Sequence, residues 1–208
     1  MKTCFIFLFF FSAQGLYAQS AVDRFDIKIL EDLAAKRTMQ QTKVMRVISD
    51  ANNYANAAIP AGLFVAGVID QNKSMRQNAA YIASSTATTA LLNFALKKIF
   101  KRPRPFQVHI GFTAVYEPTS YSFPSGHTSA SFSTATALSH AYPKWYVIAP
   151  SFIWASTVGY SRMYLGVHNP SDVAAGAILG VGTGFGMRFM KQWFLKKKDL
   201  TKMLQQIL

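Results

Sequence analysis

Basic, hydroxyl and imidazole side chains are concentrated in three short segments between residues 97 and 172. The positions that could do chemistry are Lys97 and Arg104 in the first segment, Ser125, Gly126 and His127 in the second, and Arg162, His168 and Asp172 in the third. A phosphoryl-transfer site must neutralise a dianion whose charge spreads over three oxygens in the transition state, and arginine forks and lysine ammonium groups suit that task. The residue types therefore indicate phosphoryl chemistry.

Local sequence also predicts how two of these segments begin or end a helix. Pro103 and Pro105 cannot continue a helix, so a helix is expected to end at the first segment. The second segment, Pro124-Ser125-Gly126-His127, is predicted to open one. Backbone N–H groups at the start of a helix point towards anions, so this segment could add hydrogen bonds to a phosphate.

A nucleophile is needed because few carboxylates are available to hold metal ions. The chain has nine Asp and Glu residues, and beyond Asp70 only Glu117, Asp172 and Asp199 remain. A two-metal phosphatase is therefore not expected. His168 could attack phosphorus if Asp172, four residues later, meets it on one helical face, and His127 could protonate the leaving oxygen. Taken singly, each residue also fits a structural role.

The order and spacing of the three segments match a known family. Lys97 precedes Arg104-Pro105 by six intervening residues, Pro-Ser-Gly-His runs from Pro124 to His127, and Ser161-Arg162 is followed by five residues, His168, three residues and Asp172. This pattern resembles the signature of the type 2 phosphatidic acid phosphatases, a site shared with class A acid phosphatases and vanadium haloperoxidases. The motifs span residues 97–172, and the helical layout extends the resemblance over residues 51–190.

The resemblance implies a role for each matching residue and no metal or other cofactor. Phosphate oxygens would be held by Lys97, Arg104 and Arg162, with further hydrogen bonds from Ser125 and the Gly126 backbone. His168 would form a phosphohistidine, Asp172 would orient and stabilise it, and His127 would protonate the leaving group and then activate water. The neighbouring Lys98, Lys101 and Arg102 are interpreted as solvated, and His109 and His140 as structural or exposed.

The chain is predicted to contain four regions, one of which is the single catalytic domain. Residues 1–18 have a short basic start, an apolar core and small residues up to Ala18, which is typical of a signal peptide. An uncleaved first transmembrane helix is the alternative. Residues 19–50 are predicted as an amphipathic helical segment, 51–190 as the phosphatase domain and 191–208 as a basic tail. The single cysteine, Cys4, lies in the signal, so no disulfide or cysteine-based zinc site is expected.

Five uncharged or apolar stretches predict an all-α helical bundle with five transmembrane helices after a cleaved signal peptide, or six if it is uncleaved. They cover residues 51–69, 77–96, 118–143, 145–161 and 173–187. Gly176, Gly180 and Gly184, four residues apart, would allow close helix packing. With the mature chain starting in the periplasm, most loop cations fall inside, while the cluster around Lys97 falls outside. A soluble all-helical protein is the alternative, favoured by the Ser and Thr content.

The net charge of +13 is thus attributed to loops and to binding an anion, and not to nucleic acid. The leading hypothesis is a membrane phosphatase acting on a lipid phosphate or lipid pyrophosphate at the periplasmic face of a bacterial inner membrane. The alternatives are a soluble periplasmic acid phosphatase of broad specificity, a vanadate-dependent haloperoxidase and a non-enzymatic lipid-binding protein. Candidate lid residues are Gln107, His109, Tyr116 and Glu117.

Overall fold

The computed structural model describes residues 21–207, and within that range every regular element is a helix. The first helix, α1, covers residues 21–35. It is followed by α2 (Met39–Ile69), α3 (Lys73–Phe100), the single turn α4 (Pro105–Val108), α5 (Gly126–Ala141), α6 (Trp145–Tyr164) and α7 (Pro170–Ile207). The all-α prediction is confirmed. The predicted signal peptide, residues 1–18, lies outside the described residues.

Helix α5 lies at the centre of the bundle and packs against α2, α3, α6 and α7. Its contact with α7 depends on the predicted glycine stripe. A methyl group on Gly176 would come within 2.7 Å of the Ser125 carbonyl oxygen, and one on Gly180 would overlap the Ser129 carbonyl oxygen. Glycine at these positions lets the two backbones approach, as small residues do between membrane helices.

The buried positions of the bundle are largely polar, and many apolar side chains lie outside. Thr89 and Thr183 share a hydroxyl–hydroxyl hydrogen bond of 2.5 Å between α3 and α7, and Thr86 and Thr134 share one of 2.9 Å between α3 and α5. The exposed apolar residues on the long helices include Phe64, Phe94, Ile153, Ile178 and Phe189. Such an exposed apolar surface is typical of a protein that contacts lipid or another partner.

Hydropathy singles out one helix as long and apolar enough to cross a membrane, the segment Pro170–Trp193, among the residues described. A helix occupies each of the five predicted stretches, but the prediction of five spans is not established by this test. The stretch 118–143 is helical only from Gly126, and the 16 residues of α5 measure about 24 Å, short of a bilayer core of about 30 Å. Buried Ser and Thr side chains account for the low hydropathy.

The turn between α6 and α7 is built on a glycine. Gly166 has φ +74°, its N–H donates to the Met163 carbonyl at 2.9 Å, and the Val167 N–H donates to the Arg162 carbonyl at 3.2 Å. This pair of bonds is the Schellman arrangement that ends a helix. The turn carries His168 back over the end of the bundle before α7 begins.

The N-terminal segment, predicted as one amphipathic stretch over residues 19–50, is divided at Thr38. The Thr38 hydroxyl accepts a 3.2 Å hydrogen bond from the Gln41 N–H and begins α2, which then runs through residue 50 without interruption. Helix α1 lies over the site end of the bundle, with Leu30 fully buried. Arg37 ties the connection down by donating to the Tyr164 and Thr113 carbonyls at 2.7 and 2.8 Å.

Candidate active site

Four helix ends bring the three sequence segments together at one end of the bundle. Lys97 lies in the last turn of α3, Ser125 precedes α5, Arg162 lies in the last turn of α6 and Asp172 lies in the first turn of α7. His168 lies in the turn between α6 and α7, and not on a helix as the four-residue spacing suggested. The predicted site residues therefore form one cluster, though by a different local structure.

Arg104 places its guanidinium beside the expected nucleophile. Its side chain is buried, and it donates to the Ser120 carbonyl at 2.7 Å, the Ser120 hydroxyl at 3.0 Å and the Val167 carbonyl at 2.6 Å. One terminal nitrogen lies 3.4 Å from Nε2 of His168. These contacts fix the fork so that a phosphate bound to it would lie next to that ring nitrogen.

Arg162 is held from the opposite side by residues of α2 and of the loop before α5. Its guanidinium donates to the hydroxyl groups of Ser49 and Tyr116. The Tyr116 ring also stacks beneath Arg46, whose Cζ lies 3.8 Å from the ring centroid. The Nε–H of Arg162 is buried and has no partner among the described residues, so it remains available to an anion.

The cluster is strongly cationic before any substrate binds. Burial, and after it the charge of Arg162, lowers the pKa of Arg104 to about 10. Lys97 lies just beyond the apolar stretch 77–96, and burial together with the nearby Arg104 lowers the pKa of its ammonium group to about 8. Burial is the larger cause of both shifts, and repulsion between the neighbouring cations adds to it. An entering phosphate would relieve that repulsion.

Helix α5 begins within the predicted Pro-Ser-Gly-His segment and leaves free donors at its start. Gly126 is the first helical residue, so the N–H groups of the first turn have no carbonyl partner within the helix. Ser125 is buried, and its hydroxyl accepts a 2.9 Å hydrogen bond from Thr128, which leaves its own proton free to donate. The His127 ring is within electrostatic range of Arg162, Arg104 and Lys97, and no described residue hydrogen-bonds to it.

His168 and Asp172 lie close together but do not form a hydrogen bond. Nδ1 of His168 is 3.7 Å from the Asp172 carboxylate and is buried without a partner among the described residues. Burial, opposed by Asp172, lowers the pKa of His168, which keeps the ring neutral at neutral pH. Because Nδ1 faces Asp172, the nitrogen beside Arg104 is Nε2. The long distance from Nδ1 to Asp172 does not exclude a catalytic hydrogen bond, since such bonds often shorten only when substrate binds.

Arg102 is not the solvated neighbour that the sequence interpretation made it. Its guanidinium donates to the Asp172 carboxylate at 2.7 Å and to Asp26 and Asp23 of α1 at 2.9 Å each. Lys98 and Lys101 are exposed, as expected. The prediction failed for Arg102 because its partner Asp26 is distant in sequence. A signal existed, since Asp26 precedes Leu30 by four residues and therefore lies on the apolar face of α1.

Of the four residues predicted as a lid, two contact arginines of the site, one lines a cavity and one is exposed. The Gln107 side-chain oxygen accepts a 2.8 Å hydrogen bond from the Arg104 N–H, and Tyr116 supports Arg162. His109 is half-buried and lines a cavity of about 200 Å³ beside Arg104, whereas Glu117 is exposed. His140 packs edge-to-face against Phe185 at the far end of the bundle, consistent with a structural role.

Within the described residues, no group of three or more His, Cys, Asp or Glu side chains could hold a metal ion. The site is instead an arrangement of cations and helix N–H groups around one neutral, buried imidazole. Such an arrangement can bind a phosphoryl group and present a ring nitrogen to it.

The chain resembles known proteins in both sequence and structure. The chain is similar to the undecaprenyl-diphosphatase of Sulfolobus acidocaldarius, with 36% identity over 114 residues, which is 54% of this chain and 55% of that protein. It spans about half the length of the curated relatives it matches.

Two solved structures resemble this fold. The first transmembrane PAP2 type phosphatidylglycerolphosphate phosphatase from Bacillus subtilis superposes with a TM-score of 0.71 and 27% identity, covering 89% of this chain and 94% of that one. Aquifex aeolicus LpxE superposes with a TM-score of 0.64 and 25% identity, covering 78% and 94%. The family model of the PAP2 superfamily matches residues 78–197, more than half of the chain and all three site segments, so this protein belongs to the PAP2 superfamily.

Proposed function

We propose that the protein is a metal-independent membrane phosphatase that hydrolyses a lipid phosphate or lipid pyrophosphate through a phosphohistidine on His168. The observation that carries this proposal is the position of the Arg104 guanidinium, 3.4 Å from Nε2 of a buried His168 whose other nitrogen faces Asp172. A phosphate bound to that fork would present phosphorus to the nitrogen that can attack it.

The reaction would proceed in two displacements. Nε2 of His168 attacks phosphorus while the bond to the leaving oxygen breaks. His127, protonated once the bound phosphate dianion offsets the charges of Arg162, Arg104 and Lys97, donates a proton to that oxygen. Asp172 stabilises the positive charge that the imidazole ring acquires. Water, deprotonated by His127, then attacks the phosphohistidine, releases inorganic phosphate and restores the neutral ring. Lys97, Arg104, Arg162 and the first N–H groups of α5 hold the phosphoryl oxygens throughout.

A lipid substrate is supported by the outer surface of the bundle. Apolar side chains such as Phe64, Phe94 and Ile178 are exposed on the long helices, while the interior is hydrogen-bonded through Ser and Thr. The undecaprenyl-diphosphatase and phosphatidylglycerolphosphate phosphatase named above are relatives of this chain, and their names refer to lipid substrates. We infer a similar substrate class here.

A periplasmic site is supported by the distribution of charge and aromatic residues. The end opposite the site carries exposed Trp145 and Tyr146, together with Lys144, Lys73 and Arg188. Aromatic rings and cations at that end fit a cytoplasmic membrane interface. The catalytic end then faces outward.

One observation favours a second candidate, a soluble periplasmic acid phosphatase of broad specificity: a single helix passes the hydropathy test for a membrane span among the described residues. The deciding experiment is phosphate release without added metal from lipid pyrophosphates, lipid monophosphates, lipid A and a soluble aryl phosphate, with His168→Ala as the control. Preference for one lipid in detergent supports the membrane phosphatase. Equal or better turnover of the aryl phosphate by protein that needs no detergent supports the second candidate.

A further inference from the structure

We propose that Arg102 and Asp26 form a positioning pair behind Asp172, so that the N-terminal helix α1 completes the catalytic site. The inference rests on the proposed function, because it concerns the support of the same nucleophile. It adds two residues to which the sequence pattern assigned no catalytic or binding role. Asp26 is 76 residues from Arg102 and 145 residues from Ser171 in sequence.

The Asp172 carboxylate is fixed from three directions. It accepts hydrogen bonds from the Ser122 hydroxyl at 2.5 Å, from the Asn169 N–H at 2.8 Å and from Arg102 at 2.7 Å. The Arg102 bond is made to Oδ1, whereas Oδ2 faces His168. Arg102 therefore holds the carboxylate by the oxygen that His168 does not use, and sets the direction of the other.

Asp26 fixes Arg102 in turn. Its carboxylate, 1% exposed, accepts from the second guanidinium nitrogen at 2.9 Å and from the Ser171 N–H at 2.9 Å, and it contacts the Ser171 hydroxyl. That hydroxyl accepts from Arg102 at 2.6 Å. Asp26 thus joins α1 to the first turn of α7, immediately beside Asp172.

Charge balance explains why two carboxylates would share one guanidinium. If Arg102 paired with Asp172 alone, it would neutralise the negative charge that must stabilise the imidazolium form of the phosphorylated His168. Asp26 draws part of that pairing to itself and leaves Asp172 with a net attraction for the ring. A buried group with several charged partners is costly to desolvate, and such networks are well suited to fixing geometry.

Simple docking of α1 does not require this network. Leu30 is already buried, and Arg37 already binds the Tyr164 and Thr113 carbonyls. Asp23 also binds Arg102, yet its side chain is half-exposed, so it contributes less to the buried pairing. The Asp26–Arg102 pairing is therefore not needed to hold α1 in place, and its further effect is to orient Asp172.

The test compares Asp26→Asn with Asp32→Asn, which makes the same charge change at an exposed position of the same helix. In detergent-solubilised full-length protein, Asp26→Asn is expected to lower kcat on the preferred panel substrate by roughly tenfold or more with little change in KM, as for other groups that orient a functional side chain from behind. Asp32→Asn is expected to keep the wild-type kcat. Ser171→Ala, a milder change, should lower kcat several-fold and serves if Asp26→Asn does not fold.

A double-mutant cycle separates positioning from stability. If Asp26 acts through Arg102, adding Asp26→Asn to Arg102→Gln should leave kcat per folded molecule unchanged, because the link is already broken. Fully multiplicative effects, or a kcat within twofold of wild type in Asp26→Asn, would overturn the inference. A wild-type protein inactive on the whole panel would instead refute the proposed function, and the inference with it.

Discussion

The side chain at the centre of the site is a histidine held neutral among cations. His168 is buried, and Arg104 and Arg162 both disfavour a second positive charge there. A protonated imidazole cannot attack phosphorus, so an environment that lowers the pKa of His168 would keep this proposed nucleophile active into mildly acidic solution. In the proposed mechanism Asp172 acts later, when phosphorylation would make the ring a cation.

Replacement of His168 by alanine should abolish turnover while leaving the fold intact. We expect kcat to fall by about 10⁴-fold or more, because the group that forms the covalent bond is lost. Phosphate release and trapping of labelled phosphoprotein would be measured on the same preparation. The control is His140→Ala, at the far end of the bundle, which should keep kcat per folded molecule. Labelled phosphoprotein in His168→Ala would mean that another residue is the nucleophile.

The shape of the Arg104 side chain should matter as much as its charge. Lysine at this position keeps the cation but cannot donate to Ser120, Val167 and a phosphate together. We expect Arg104→Lys to lower kcat/KM by about 10²-fold, the loss typical of one transition-state donor. The exposed Arg24→Lys is the matched control. A near-normal rate in Arg104→Lys would show that the fork does not contact the phosphoryl group.

Lys97 should impose an alkaline limit on activity. Its pKa is lowered to about 8, mainly by burial, so above that pH the free protein loses a positive charge that binds phosphate. We expect kcat/KM to decline above about pH 8, whereas kcat should hold to higher pH because bound phosphate favours the charged form. Lys97→Arg should shift the decline upward. A kcat/KM that stays flat to pH 9.5 in the wild type would contradict this assignment.

Local sequence predicted the residues that cluster at the site end of the bundle, but not the contacts that support them. Residues from Lys97 to Asp172 come together because each segment lies at a helix end on the same side of the bundle. Arg102 was predicted as solvated and Tyr116 as a lid residue, and Asp26 was given no role. Their supporting contacts were not predicted because their partners are distant in sequence, and burial of a charge depends on packing that spacing does not describe.

At the scale of helices, the approach of α5 to α7 makes a specific prediction about glycine. Gly180→Ala would push a methyl group into the Ser129 carbonyl, and backbone cannot move aside without separating the helices. We expect a loss of about 1–3 kcal/mol, the range for overpacking, seen as a lower midpoint of thermal unfolding in detergent. Gly182→Ala on the same helix faces open space and should be neutral or stabilising. Equal midpoints would argue against this packing.

The helices were predictable where periodicity and proline end signals agreed. Helix α3 ends at Phe100, just before Pro103, and α5 begins at Gly126 as its Pro-Ser-Gly sequence indicated. The stretch 118–143 was read as one span because uncharged residues precede the helix. Residues 118–125 instead form a loop that carries Ser120 and Ser122 to Arg104 and Asp172, a contact set by tertiary structure.

Across the whole molecule, polar groups face inward and apolar groups outward more than in a typical water-soluble bundle. Many serine and threonine hydroxyls bond one another or the preceding carbonyls, as in the Ser85 hydroxyl that donates to the Tyr81 carbonyl at 2.8 Å, whereas the buried hydroxyls of Ser133, Thr136 and Ser139 have no partner among the described residues. In a bilayer such internal pairing is required, since lipid offers no hydrogen bonds. The mean hydropathy of a helix combines its buried polar residues with its exposed apolar ones. For this reason one helix alone passes the span test among the described residues.

The orientation proposed for the bundle can be tested by cysteine labelling. Cys4 would be replaced by serine, and single cysteines introduced at Lys101, exposed at the catalytic end, and Lys144, exposed at the opposite end. A membrane-impermeant maleimide should label Lys101→Cys in intact spheroplasts, and Lys144→Cys only after lysis, because the proposed orientation puts the two on opposite sides of the membrane. The reverse pattern would place the site in the cytoplasm. Labelling of both in intact spheroplasts, with protein recovered in the soluble fraction, would favour the soluble phosphatase.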